Sequence, residues 1–557
     1  MTRGPRAIPA ARPEVLVCLL AALALPPGAT AQTAVPGTLV IISGQEPITP
    51  VPMLARGRAG QDVADQLFLR LARLGPSLRT AGDTGFVPEL ARRWTRRDSV
   101  TLAFEIDSRA KWHDGRPVTA RDVVVTLDRA RDPATGGRYA VYLGEIAGVT
   151  AEGDRVALVR FRRAYGEQLY DATYHVAPLP AHLVEGLSDE ALAASPFGQA
   201  PVGNGPYRWV RRVPGQLVEL EAVPDHYLGR PGLDRLVIRT VADGEARLNL
   251  MLTGEGDALE YVAPPLSNLD RLRARPGLRI EPVASGQLGY ILFNYREPAD
   301  RTRPHPILGD SLVRRAIVRA VDRETMVRSV YGAYAAIPDG PTSQLLWIRR
   351  LAPPAQPRDT AYARRLLASA GWVDRDNDGV LDRDGRPLEL RLQVPATSQP
   401  RRQMALQLQE QLRPLGIRID VQVLEIAVFV ERRDRGDFDL DFAGAAQDPS
   451  PSGLRNSWSC ASGGQPGANV GWYCNPGVDS LVDRARFAWG DPDSYWREVL
   501  ARIQDDAPAI FLYAPATVFA VSDRYRGATI RPESPWAGVR NWSVEPSRAL
   551  PRDRTER

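Results

Sequence analysis

Leu388-Glu389-Leu390-Arg391-Leu392-Gln393-Val394 and Ile417-Arg418-Ile419-Asp420-Val421-Gln422-Val423 are the two stretches that decide the fold class. In each, apolar and polar residues alternate, the period of a strand whose successive side chains point to opposite faces. Between them Met404, Leu408, Leu412 and Leu415 recur at helical spacing. Strand, helix and strand in so short a span form a parallel pair joined by a right-handed crossover, which makes the chain α/β. A third strand is expected over residues 437–442, with Phe438, Leu440 and Phe442 on one face.

Toward the N-terminus, residues 38–43 form an apolar run suited to a buried strand, and a Pro-rich segment follows at 47–52. Leu102, Phe104 and Ile106 alternate with polar neighbours as in a half-buried strand. A helix is expected from Thr119, with the Thr119 hydroxyl as cap, Asp122 at the third position and Val123, Val124 and Leu127 as its buried stripe. Repeats, low-complexity tracts and a long linker are not evident, so short crossings between domains are expected.

With 44% hydrophobic and 25% charged residues, the chain of 557 has the composition of a globular protein with a large core, not of a disordered one. Its 71 Lys plus Arg exceed 66 Asp plus Glu, and Lys111 is the only lysine. The arginines are scattered among acids, so the basic balance does not describe a nucleic-acid face.

Arg3, Arg6 and Arg12 precede an apolar run at 15–25, and Ala29-Thr30-Ala31 offers an Ala-x-Ala site before Gln32. This pattern is a secretory signal peptide, since the run falls short of the ~20 residues that span a bilayer. Cys18 lies inside the run and is poorly placed for lipid attachment, so a soluble periplasmic product is expected, with no stable membrane insertion. Cys460 and Cys474 remain after cleavage, and an even count in an exported chain favours a disulfide. Two free thiols or a metal pair are the alternatives; no CxxC or nearby histidine recommends a metal.

Catalytic motifs are weak. Gly309-Asp310-Ser311-Leu312 spells the signature of a serine hydrolase family, but Asp310 reads as a helix N-cap because Val313, Ala316, Ile317, Ala320 and Val321 continue at helical spacing. Asp374, Asp376, Asp378 and Gly379 resemble the start of a calcium loop, yet the twelfth position, where a bidentate glutamate belongs, is Gly385; an acidic turn is the plainer reading. His113, His175, His182, His226 and His305 form no metal-binding spacing. No resident metal or cofactor is expected, and nothing recommends an enzyme.

Several segments together resemble the extracytoplasmic family-5 solute-binding proteins, the dipeptide, oligopeptide and nickel-chelate binders of ABC importers. Val87-Pro88-Glu89-Leu90-Ala91 with Trp94 is similar to one family element. Lys111-Trp112-His113-Asp114-Gly115, followed by Pro117-Val118-Thr119-Ala120 and Asp122-Val123, resembles the most diagnostic one. Gly203-Asn204-Gly205-Pro206-Tyr207, Val313-Arg314-Arg315-Ala316 with Ala320, Asp322 and Arg323, and Asp506-Ala507-Pro508-Ala509 continue the likeness. The segments around Cys460 and Cys474 look like the dipeptide-binding branch, whose corresponding cysteines are bridged.

The resemblance implies a two-lobed periplasmic-binding-protein fold, type II and cluster C-like, with an extra subdomain in the first lobe. Expected boundaries are a signal peptide at 1–31, a first-lobe core from 32–75, 200–290 and 520–557, an accessory subdomain at 76–199, and a second lobe at 291–519. It also implies a monomer that captures a small-molecule or peptide ligand by hinge closure and hands it to ABC permease subunits. A secreted serine hydrolase and a ligand-presenting sensory adaptor are the alternatives.

The resemblance also implies a site. In peptide-binding relatives an aspartate three residues before the Asp-Pro pair meets the ligand ammonium; before Asp448-Pro449 that position is Ala445. An unpaired ammonium in a closed cleft costs several kcal/mol, which favours a modified peptide, opine, oligosaccharide or metal chelate. Phe442, Ala443, Gly444, Ala445, Gln447 and Asp448 are expected to line the cleft, with Trp458 and Tyr142 as stacking surfaces. Arg401, or Arg402, would take the place of the arginine that holds a ligand carboxylate.

Overall fold

The computed structural model describes residues 37–55, 57–133, 138–262 and 266–553, together with Met1 and Gly4. The expected signal peptide and Cys18 lie outside them. The strand pair that opens the second large sheet is parallel, Glu389–Pro395 on Arg418–Leu424, in the register Leu390 to Ile419 and Leu392 to Val421, with helix Gln399–Leu412 as the crossover. Met404, Leu408 and Leu412 are buried beneath it.

The third strand pairs in parallel with Glu389–Pro395 but runs Leu440–Ala446, three residues later than the periodicity predicts. Asn294 causes the delay: its Nδ2 donates to the carbonyls of Gly436 and Phe438, holding the approach outside the ladder. The completed sheet has six strands in the order Ala335–Ala336, Ala509–Pro515, Gln287–Phe293, Leu440–Ala446, Glu389–Pro395, Arg418–Leu424.

A seven-stranded sheet forms the other large layer. Thr38–Ser43 lies within it, parallel to both Arg235–Thr240 and Ala258–Leu259, and Thr517–Ser522 pairs antiparallel with Ala258–Leu259 and Leu278–Val283. The chain therefore crosses to the six-stranded sheet between Val283 and Gln287 and returns at Ala516, a few residues before the boundaries expected at 290 and 519. Ser285 Oγ donates to the carbonyl of Pro515, tying the two crossings together. The first sheet is also clamped from afar: Thr38 N–H donates to Asp553, and Arg524 reaches Asp257 at 2.8 Å and Asp553 at 2.6 Å.

A four-stranded antiparallel sheet, Ala91–Asp98, Thr101–Ile106, Val156–Phe161 and Ile146–Glu152, forms a third unit. Its helix Ala120–Arg131 begins at Thr119 as the capping pattern predicts, with Asp122 accepting from the Thr119 N–H at 2.7 Å. Asp122 also accepts from Trp112 Nε1 and from the Ala181 N–H, so one carboxylate joins three segments. His113 fastens this unit to the segment at 203–205: the Gly203 N–H donates to Nδ1, and Nε2 bonds the Gly205 carbonyl at 3.0 Å, which makes Nε2 the protonated nitrogen. Burial lowers the His113 pKa to about 4, so the ring is neutral there. Glycine is required at 203, where a Cβ would stand 1.9 Å from the Leu67 carbonyl oxygen.

Cys460 and Cys474 are joined as a disulfide, their Cα atoms 4.3 Å apart. Asp310 caps helix Ser311–Ala320 by accepting from the Leu312 N–H, and Ser311 is exposed. Asp374, Asp376 and Asp378 bring carboxylate oxygens within 4.8 Å of one another in a turn where Asp374 accepts from the Gly379 N–H.

Candidate ligand-binding cleft

Three cavities run along the junctions between the units. The largest, about 680 Å³, lies between the two large sheets beside the crossings, with Tyr261 and Val518 on one side and Gly289, Arg401 and Tyr513 on the other. The second, about 570 Å³, lies against the strand Leu440–Ala446 and the loop after it. The third, about 300 Å³, continues the second, sharing Tyr142, Asp448 and Ser450, and reaches between the four-stranded unit and the second lobe.

Not all of the expected residues reach a cavity. Ala443, Gly444, Ala445, Gln447 and Asp448 line the second one, and Tyr142 lines both the second and the third. Phe442 does not: its ring points to the opposite face of the strand and is fully buried in the core over helix Gln399–Leu412. Its carbonyl accepts from Arg401 Nη1 at 3.2 Å. Trp458 is also core, 2% exposed, with ring centroids 5.5 Å from Phe511 and 5.9 Å from Tyr290. The Gln447 amide is committed as well: Oε1 accepts from the Ser343 N–H and Nε2 donates to the Pro341 carbonyl.

Arg401 faces the first cavity and approaches Gly444 so closely that a Cβ there would lie 2.5 Å from its Nη2. It stands between the two larger cavities, where glycine makes the room. Asp441, fully buried, accepts from Arg433 Nε at 3.0 Å and Gln393 Nε2 at 2.9 Å; burial pushes its pKa up, and Arg433 opposes the shift.

The third cavity holds residues that no sequence motif marks. Glu167, Asp171 and His175 recur four apart, the spacing that puts side chains on one helical face. Glu167 accepts from Ser450 Oγ at 3.0 and 2.8 Å, from Ser452 and from Thr80, joining the two sides of the cleft. Asp171 accepts from Tyr165 OH at 2.6 Å. The His175 ring stacks on Tyr142 with centroids 4.6 Å apart, and burial pushes its pKa down to about 3. Burial raises Asp448 to about 6, against the Ser450 N–H that it accepts.

The model of the bacterial extracellular solute-binding proteins, family 5, middle region, matches residues 85–465, more than half of the chain. The chain belongs to this family. The oligopeptide-binding protein AppA of Bacillus subtilis is 26% identical over 515 residues, 91% of each chain. A probable di/tripeptide-binding protein of Pseudomonas aeruginosa is 26% identical over 440 residues, 75% of this chain and 78% of that one. Among solved structures, AppA in complex with a nonapeptide superposes with a TM-score of 0.70 at 25% identity, covering 92% of this chain and 99% of that one. NikZ of Campylobacter jejuni in complex with Ni(L-His) superposes with 0.71 at 23% identity, covering 91% and 99%. The chain thus has the two-lobed fold of the family-5 binding proteins. Among the described residues, no helix of this family-5 chain is long and apolar enough to cross a membrane.

Proposed function

We propose that this family-5 protein is the periplasmic substrate-binding component of an ABC importer, a monomer exported through a cleaved signal peptide, which closes its lobes on a small organic solute and presents it to the permease. One observation carries the reading: cavities of about 680 and 570 Å³ sit beside the two large sheets, which among the described residues are joined by two chain crossings, at 284–286 and at Ala516. Closure around such crossings buries a ligand and remodels the outer face at once. The solute is peptide-like in size, in keeping with the nonapeptide held by AppA and with the di/tripeptide-binding relative in Pseudomonas aeruginosa. Ala443, Gly444, Ala445, Asp448, Tyr142 and Arg401 are the proposed contacts.

Calorimetry and small-angle scattering with pools of di-, tri- and longer peptides test the proposal. Micromolar or tighter binding with a smaller radius of gyration is expected. Saturation of broad peptide, opine, oligosaccharide and chelate panels without heat or compaction would remove it.

A further inference from the structure

The third cavity carries more acid than its own hydrogen bonds use. Asp448, Asp171 and Glu167 line it together, with Asp448 at the mouth shared with the larger cavity. The cations in its wall are Arg455 and Arg486, both turned to Asp483, at 3.1 and 3.6 Å; Arg486 also acts on the Asp171 carboxyl, against the burial that raises its pKa. Glu145, also in the wall, pairs with Arg163. His175 adds no charge, since burial and the Arg70 guanidinium hold its pKa near 3.

A second observation points into the same space. Tyr170, 1% exposed, lines the cavity, and its hydroxyl has no hydrogen-bond partner among the described residues. After burial, the nearby Asp448 carboxylate is the largest influence holding its proton on. A buried hydroxyl without a partner costs ~1–3 kcal/mol, so it marks a place where a polar group from outside is accommodated.

We propose that this cavity is the subsite for a cationic nitrogen of the ligand, an ammonium or guanidinium, with Asp448 as its counter-charge, the Tyr170 oxygen as acceptor and the Tyr142 ring as wall. The inference rests on the binding-protein reading above and moves the ammonium partner from position 445, where Ala445 has none, to Asp448 three residues on. Burial raises the pKa of both Asp448 and Asp171, the cost of carboxylates held away from water; an incoming cation lowers that cost. The cation can come from a peptide N-terminus or from a lysine or arginine side chain.

The test is calorimetry at pH 7.5 with trialanine, N-acetyl-trialanine and N-acetyl-Ala-Lys-Ala, on the wild type, Tyr170→Phe and Asp448→Asn, each checked for folding by circular dichroism. At least one ammonium-bearing peptide should bind tenfold or more tighter than N-acetyl-trialanine, and the ratio should fall to threefold or less in both variants. Which peptide holds the advantage identifies the source of the cation. Equal affinity for all three, or a ratio unchanged in the variants, overturns the subsite and leaves the binding-protein reading standing. No heat with any of the three overturns the subsite together with the peptide reading on which it rests.

Discussion

Ser450 Oγ donates to both carboxylate oxygens of Glu167, at 3.0 and 2.8 Å, from the opposite side of the cleft and 283 residues along the chain. Ser452 and Thr80 complete the ring of hydroxyls around that carboxylate, and Trp347 Nε1 donates to Thr80 in turn. A charged acceptor held by hydroxyls from both sides fastens the accessory unit to the second lobe. Bonds of this kind contribute ~1.5–3 kcal/mol each. Ser450→Ala is therefore expected to weaken binding of any ligand that closes the cleft by about tenfold, and to enlarge the ligand-bound radius of gyration, measured by calorimetry and scattering. Unchanged affinity and radius would show that the junction does not move.

The Cys460–Cys474 disulfide closes a loop of 14-residue separation. In the chain-entropy model such a loop contributes ~3 kcal/mol. Thermal melts with and without reductant, and of a Cys460→Ser, Cys474→Ser double variant, should show a Tm lower by several degrees in both cases. Reductant should leave the double variant's Tm where it was.

His113 sets an acid limit. Its pKa is about 4 when folded against an ordinary value of 6.5, so below pH 6.5 the unfolded chain binds a proton that the folded chain refuses. Stability then falls as pH drops from 6.5 toward 4, by up to ~3 kcal/mol from this group. Urea titrations across that range should show the loss, with a shallower slope in His113→Gln even though that variant starts from a lower plateau.

Asp448 has the opposite sign. Its pKa is raised from 3.8 to about 6, so the unfolded chain releases this proton first and stability falls as pH rises from 4 through 6. Asp448→Asn keeps an acceptor for the Ser450 N–H and removes the buried charge. It should raise the unfolding free energy at pH 8 by up to ~3 kcal/mol, less where the open cavity lets water screen the charge. The gain should vanish by pH 4.

The elements with long periodic patterns were legible in the sequence. Leu390 and Leu392, and Ile419 and Val421, mark the two strands that the structure pairs in parallel, and Thr119 with Asp122 marks a helix start that the structure reproduces. The start of the third strand was not, because Asn294, 142 residues before Gly436, holds the approach. Alternation could have warned that Phe442 and Ala443 cannot face the same cavity. The acidic pocket was harder to see: Glu167 and Asp171 belong to a six-residue helix and its flank, too short to show a period, and the Glu167 partners Ser450 and Ser452 arrive from a different lobe. Only the spacing of residues 167, 171 and 175 hinted at it.

Strand Thr38–Ser43 finds its ladder partners at 235–240 and 258–259, but Thr38 itself is also held by Arg524 and Asp553, so its end is secured only by residues near the far end of the sequence. Until Thr517–Ser522 has also emerged, the seven-stranded sheet lacks the strand that joins Ala258–Leu259 to Leu278–Val283. Contacts of such long sequence separation slow folding. The seven-stranded sheet is thus complete only when residues 517–522 have joined strands formed more than two hundred residues earlier.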